Sequence, residues 1–524
     1  MSFIQHFLKT SQAVDFNFSW KKGVGFISKH SKLILIVLGL TLLYFFTRLY
    51  NIMELPLFTD EAIYTRWSQI ARFDANWRFI SLTDGKQPSF VWINMIFMKF
   101  IEDPLLAGRL VSVVSGFFGM VGMFFLGREI FKRQKAGLIA AFIYVVFPFT
   151  LVYDKMALYD SLVVAAVVWG LFFQVLLVRR RRLDIALILG FIIGFGVLTK
   201  SSAFFLIYLF PLSLLLFDFK QKKRVRELVK WGALAGVSTV MAYGFYSMLR
   251  LSPFFHIIGE KNGIFVYPVR DWLTHPFEFL FGNWNGLTNW LIMYSTIPFL
   301  VLIVLSFFLG RTKFLREKVF LFLWFLAPFM ALALFGRILY PRFILFMTIP
   351  LLVLAAYPLT YLTDRAKNNI QKIAVIILAF AFIFRSDFYL LTDFGRAPIA
   401  KPDTDQFMNE WPAGGGLKEI IPFLAEEGRN KKIYVATEGT FGSLPTYATE
   451  IYLDMNKNIE KRGIWPVPPI IPEDLLNRAE TQRVFFLFNE TQNPPPGWPI
   501  KLVAKYQKGI GDSYMSLYEV IPNR

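Results

Sequence analysis

Residues 88–101, PSFVWINMIFMKFI, are the stretch on which the topology turns. The run is apolar, but it has the length of a re-entrant or interfacial segment and falls short of the roughly 20 residues a crossing helix needs. Eleven longer apolar runs surround it, near 32–52, 105–127, 136–153, 158–177, 184–199, 201–217, 228–249, 288–309, 318–336, 341–362 and 371–391. The turns between these runs alternate in charge. Those at 128–135, 179–182, 220–230, 311–318 and 365–372 are basic, and the positive-inside rule assigns them to the cytoplasm. The turns at 53–104, 154–157, near Lys200, at 250–287 and at 336–341 then face outward. Counting 88–101 as a further span would invert every later turn. It is therefore expected on the outer surface, as a membrane-dipping helix.

Composition supports this class. The 524 residues are 55% hydrophobic and 18% aromatic, above the roughly 45–50% apolar content of a soluble domain. A polytopic α-helical membrane protein with about eleven transmembrane helices follows. The net charge of +19 lies in short clusters between apolar runs, which excludes a nucleic-acid partner. Cysteine is absent, so there is no disulfide, thiolate ligand or cysteine nucleophile. The first run follows Lys21, Lys22, Lys29 and Lys32. It is too long for a signal-peptide core and no small-residue cleavage pattern follows it, so 1–31 is expected to be a cytoplasmic segment ahead of an uncleaved helix. The membrane domain is expected over 32–391, with interfacial helices in an outer loop at 53–104. From 392 to 524 hydrophobicity falls, and Pro/Gly clusters appear at 412–416 and 494–497. Strands are predicted at 432–437, 483–489, 501–506 and 514–520, and helices at 416–427 and 473–479. They make a small C-terminal extracytoplasmic α/β domain. Asn489-Glu490-Thr491 has the form of a glycosylation acceptor.

The outer turns hold most of the residues able to do chemistry. Residues 57–64, LFTDEAIY, place Asp60 and Glu61 just after the first span and ahead of an amphipathic helix expected at the interface. Thr59 or Asp60 would cap that helix and Glu61 would favour the positive end of its dipole, roles compatible with catalysis. Lys86, in DGKQP, is either a snorkelling anchor or a phosphate ligand. Residues 153–160, YDKMALYD, bring Asp154 and Asp160 to the outer face, and carboxylates near a span are functional candidates. Lys200 sits at a hairpin tip, and Arg337 and Arg342 flank Ile338-Leu339-Tyr340-Pro341. Cations outside run against positive-inside bias, and a lipid headgroup or phosphate would account for them. An outer cavity of carboxylates and cations suits sugar transfer from a polyprenyl phosphate. A carboxylate serves as base, and cations stabilise the leaving phosphate. His6, His30, His256 and His275 stand apart from this set.

The order of these motifs over roughly 30–390 resembles the GT-C superfamily of polyprenyl-phosphate-sugar-dependent glycosyltransferases. Its protein O-mannosyltransferases and bacterial lipid A aminoarabinose transferases are the nearest branches. Thr59-Asp60-Glu61-Ala62-Ile63-Tyr64 resembles the family's Asp-Glu motif, Asp84-Gly85-Lys86-Gln87-Pro88 its Lys-Pro segment and Ala157-Leu158-Tyr159-Asp160 its second acidic motif. Val197-Leu198-Thr199-Lys200 and Tyr340-Pro341-Arg342-Phe343 also have counterparts. Gln87 stands where that family commonly has proline, and Ile63 replaces a basic residue of the aminoarabinose branch. The resemblance implies Asp60 as the catalytic or acceptor-orienting carboxylate supported by Glu61, and Lys86 on the donor phosphate.

The expectation is thus an inverting glycosyltransferase of the cell membrane, multi-pass, with its N-terminus cytoplasmic and its C-terminal domain outside. Its donor would be a polyprenyl-phosphate sugar bound by Lys86, Lys200, Arg337 and Arg342. Its acceptor would be a glycan, lipid or protein, in a cavity shaped by Tyr64, Asp154, Asp160 and Tyr340, with the prenyl tail among membrane lipid. A divalent cation (Mg or Mn) at the acidic cavity stays open, because metal use varies within the superfamily. The alternatives are a flippase or transporter of lipid-linked saccharides, which would need mid-membrane charges, and a non-catalytic scaffold for the C-terminal domain.

Overall fold

The computed structural model describes residues 20–522 apart from 311 and 440–443, with side chains from residue 31; residues 1–19 of the expected cytoplasmic segment lie outside them. Helix α1 (Trp20–Leu49) leads to α2 (Thr59–Phe73) and the short α3 (Ser89–Phe97). There follow α4 (Pro104–Phe131), α5 (Gln134–Val146), α6 (Pro148–Tyr153), α7 (Asp160–Arg180) and α8 (Leu183–Val197). Beyond a set of mainly 3-10 turns lie α9 (Arg224–Ser247), α10 (Ile257–Phe265), α11 (Leu280–Ser295) and α12 (Ile297–Phe308). The bundle closes with α13 (Leu315–Phe335), α14 (Leu345–Arg365) and α15 (Asn369–Thr392).

Among the described residues seven helices are long and apolar enough to cross a bilayer, or eight with α11 and α12 as one bent span. The predicted count of eleven is not reproduced as eleven long helices, and the reasons are local. Pro148 holds Phe147 extended, at φ −77° and ψ 120°, and splits 136–153 into α5 and α6. Thr296, at φ 64°, turns α12 by 98° from α11. The 201–217 run winds largely as 3-10 turns with Pro211 at its second break, and α8 has 15 residues. Helix α3 has nine residues, too short to cross, and turns Phe90, Val91 and Asn94 inward.

Ion pairs show which turns share an end of the bundle. Arg133 and Lys135 meet Asp364, Arg179 meets Glu129 and Glu317, and Arg181 meets Glu227. The basic turns therefore gather on one side. The intervening turns gather on the other, where Gln87 bonds Ser201, Lys261 meets Asp84 and the Arg337 amide bonds Phe265 O. The span Pro341–Arg365 is central. Of its most apolar stretch 94% is buried, against 11% for Ser31–Leu49, which leaves its face to lipid.

After Thr392 the chain forms α16 (Leu417–Glu427), β1 (Ile433–Glu438), α17 (Thr446–Leu453), β2 (Ile459–Ile464), α18 (Glu473–Ala479), β3 (Arg483–Phe488), β4 (Ile500–Gln507) and β5 (Tyr514–Val520). The sheet order is β2-β1-β3-β5-β4, with β1 parallel to β2 and β3, and β5 antiparallel to β3 and β4. Strands β1 and β3 are buried along nearly their whole length, as central strands covered on both faces require. Strand β2, IEKRGI, was not predicted. It is an edge strand whose inner residues are polar or partly exposed. Helix α17 lies on α2: Arg66 bonds Glu450 at 2.9 Å and Asp454 at 3.1 Å, and Gln69 Nε2 donates to Ile451 O at 3.1 Å. Its other face buries Trp67 and Ala71. Helix α2 is thus enclosed between two protein layers and does not lie open at the interface.

Candidate active site

The first turn of α2 is set by Glu61. Its carboxylate accepts from the Phe58 amide at 3.1 Å, from Arg109 Nε at 2.9 Å and Nη2 at 2.8 Å, and from the Ala157 amide at 2.7 Å. The cap expected from Thr59 or Asp60 therefore comes from Glu61, and Thr59 Oγ1 instead donates to Pro412 O at 3.0 Å. Glu61 and Arg109 are fully buried. All four contacts hold Glu61 inside the protein, away from the cavity that Lys86 and Lys200 line.

Asp60 is oriented differently, with Oδ2 lying 2.8 Å from Arg342 Nη2. The Arg342 guanidinium lies 5.7 Å from the Phe58 ring and 5.2 Å from the Tyr340 ring, within cation–π range. Asp160, at the start of α7, accepts from Lys200 Nζ at 2.8 Å. Lys86 donates to Tyr64 Oη at 2.9 Å, and among the described residues it has no carboxylate at ion-pair distance. Gly85 delivers Lys86 by ending a 3-10 turn at φ 65°. A Cβ there would lie 2.8 Å from Ile257 O, so only glycine fits beneath α10.

Lys86, Asp160, Lys200, Arg342 and Tyr64 line one cavity of about 240 Å³, walled on its other side by apolar residues such as Phe205, Leu332 and Phe346. Burial pushes the Asp60 carboxyl up, but Lys86, Arg342 and Lys200 outweigh it and hold the group below its ordinary value. Burial lowers the Lys200 ammonium despite Asp160 beside it. Burial and the Asp60 charge raise the Tyr64 phenol well above its usual range.

Three other expected members stand outside. Asp154 is buried against Arg48, 3.5 Å from its Nε, and accepts from Ser161 at 2.8 Å and from Tyr44 and Tyr144 at 3.3 Å. It ties α1 to α5 and α7 and does not line the cavity. Arg337 is exposed, its guanidinium 5.9 Å from the Tyr267 ring. Tyr340 does not line the cavity and touches Arg342 and, edge-on, Phe343. Conversely, Lys261 and Tyr159 line the cavity without having been singled out. Lys261 carried a readable signal, a cation in a turn expected to face outward, as did Arg109, a charge inside an apolar run.

Asp60 and Asp160 each hold a cationic side chain, and among the described residues no group of three or more His, Asp or Glu is placed to hold a metal.

Residues 85–243, which include Lys86, Asp160 and Lys200, match the sequence family described as dolichyl-phosphate-mannose-protein mannosyltransferase. No curated protein sequence matches the chain. Among solved structures, ArnT from Cupriavidus metallidurans superposes with a TM-score of 0.58 in the apo state and 0.56 bound to undecaprenyl phosphate. Both are 14% identical, covering 94% of this chain and 98% of ArnT. The archaeal oligosaccharyltransferase AglB from Archaeoglobus fulgidus, solved with an inhibitory peptide and a dolichol-phosphate, gives 0.53 at 15% identity, covering 89% of this chain and 70% of AglB. The family match lies inside the helical bundle whose fold this chain shares with ArnT and AglB.

Proposed function

We propose that the chain moves a glycosyl group from a polyprenyl-phosphate donor to a hydroxyl of a glycan, lipid or protein acceptor. Transfer takes place with inversion, on the membrane face that carries the C-terminal domain, with the N-terminus in the cytoplasm. The observation that carries this is the cavity in which Lys86, Lys200 and Arg342 meet an apolar wall. An anionic head beside a long hydrocarbon tail is the ligand such a surface suits. ArnT with undecaprenyl phosphate and AglB with a dolichol-phosphate support the same donor class.

In this reaction the acceptor oxygen attacks the anomeric carbon as the bond from that carbon to the phosphate oxygen breaks. The lipid phosphate leaves with the electron pair and is stabilised by Lys86. Asp60 orients the acceptor hydroxyl and takes its proton, which passes on to water. The leaving group is already a stable anion, so fixed cations contribute more than a general acid would. The test incubates purified protein with undecaprenyl-phosphate-linked mannose, glucose and aminoarabinose and scores free undecaprenyl phosphate. Release from at least one donor that stops in Asp60→Asn and Lys86→Met is expected. Release from none, or release indifferent to both substitutions, overturns the proposal.

A further inference from the structure

We infer that the C-terminal domain is a working part of the site and that residues 411–414 form a strap positioning Asp60. The inference rests on Asp60 being the carboxylate that acts on the acceptor.

Residues 57–59 run antiparallel to 412–414, with Phe58 opposite Ala413. The Thr59 amide and Oγ1 each donate to Pro412 O at 3.0 Å, and the Gly414 amide donates to Leu57 O at 2.8 Å. The strap is thus bonded to the residue directly before Asp60. Its other side is held by the sheet domain. Asn489 Nδ2, just after β3, donates to Trp411 O at 2.9 Å, and Lys508, just after β4, reaches the same carbonyl at 3.4 Å while bonded to Asn489 Oδ1. Both side chains are buried. Asn489 is thereby occupied with the strap and is not presented as a glycosylation acceptor. The glycine at 414 is required by the close approach: a Cβ there would lie 2.6 Å from Leu57 O and 2.7 Å from Leu417 Cδ1. Even alanine must push the strap away from residue 57. An unbroken set of bonds therefore runs from β3 and β4 to the first turn of α2.

A misplacement of about 1 Å at a reacting group costs up to ~100-fold in rate. Full-length Thr59→Val and Gly414→Ala are therefore expected to lower kcat about 10- to 100-fold with little change in donor KM or in undecaprenyl phosphate affinity. Thr59→Ser, which keeps the hydroxyl, should restore the rate. Gly395→Ala, with nothing closer than 3.7 Å to the added carbon, serves as a control in the same linker. Gly414→Ala adds bulk and Thr59→Val removes one donor, so thermal unfolding of both separates a lost fold from a shifted carboxylate. Folded variants that turn over like the parent chain, or that lose only donor affinity, overturn the strap. If they do so while Asp60→Asn is inactive, the role of Asp60 stands and the strap alone falls. If Asp60→Asn is itself active, the reading beneath the inference fails.

Discussion

Asp60 and Arg342, far apart in the sequence, form an ion pair at 2.8 Å beside the cavity where Lys86 and Lys200 also converge. The pair keeps Asp60 ionised to lower pH than a free carboxylate, since Lys86, Arg342 and Lys200 outweigh its burial. The stabilisation from a depressed carboxyl is present above the unfolded pKa near 3.9 and is lost as pH falls through the lower folded value. Asp60 should therefore add no acid limb to the pH–rate profile between about pH 5 and 8. Asp60→Asn should cut turnover ~100- to 10,000-fold. It should leave undecaprenyl phosphate affinity equal or tighter, because Arg342 then has no carboxylate competing with phosphate. Turnover near that of the parent chain would remove Asp60 from the reaction.

Lys86 carries the opposite signature. It is the cavity cation held by a phenol instead of a carboxylate, with Tyr64 Oη at 2.9 Å. A charge-assisted bond to a phosphate oxygen contributes about 1.5–3 kcal/mol. Lys86→Met should therefore weaken undecaprenyl phosphate binding by roughly 10- to 150-fold, measured by titration in detergent. Tyr64→Phe, which leaves the ammonium in place, should weaken it only a few-fold. Equal losses in both variants would mean that Lys86 acts through Tyr64 and not on the phosphate.

The legible and illegible parts of this site differ in the range of the forces that set them. Lys86, Lys200 and Arg342 were readable because a cation on an outward turn contradicts charge bias and requires a partner there. Asp160 was readable because a carboxylate at the head of an apolar run is expensive. The buried pairing of Glu61 and Asp154 was not readable, since their partners Arg109 and Arg48 lie on other helices and only packing discloses them. Arg337 and Arg342 look alike in one dimension. Pro341 starts a 3-10 turn between them, and only Arg342 ends up facing Asp60. Apolar periodicity located the spans, while Pro148 and Thr296 decided which stayed whole. Four of the five strands were found by their apolar runs, and β2 escaped because an edge strand needs no such run.

Glu61 and Arg109 form a buried pair in which removing either partner strands the other. Arg109 also donates to the carbonyls of Ile52 at 2.7 Å and Leu55 at 3.1 Å. Breaking such a pair costs about 3–5 kcal/mol. Arg109→Met should accordingly lower the midpoint of thermal unfolding sharply and reduce accumulation in the membrane. Glu61→Gln should do less, because the amide oxygen still accepts at one of the two positions, from Ala157 or from Phe58. Its turnover should fall far less than that of Asp60→Asn, assayed on protein matched for folded fraction. A Glu61→Gln chain that is stable yet as inactive as Asp60→Asn would return Glu61 to the reaction.

Asp403 gives the remaining prediction, one of stability against pH. It is buried where the chain leaves α15, and its Oδ2 accepts from Tyr153 Oη at 2.7 Å and from Tyr294 Oη. Burial pushes its carboxyl up to about 6, with the two phenols and Arg342 acting against that rise. A carboxyl raised in the folded state binds its proton more tightly there than in the unfolded chain. Stability is then greatest below the unfolded pKa near 3.9 and declines as pH rises toward 6. A shift of about two units corresponds to roughly 3 kcal/mol at most. Asp403→Asn preserves an acceptor for both phenols and cannot ionise. The difference in unfolding free energy between variant and parent should therefore shift in favour of the variant between about pH 4 and 6.5 and level off above. A constant difference across that window would show that burial does not raise the Asp403 carboxyl.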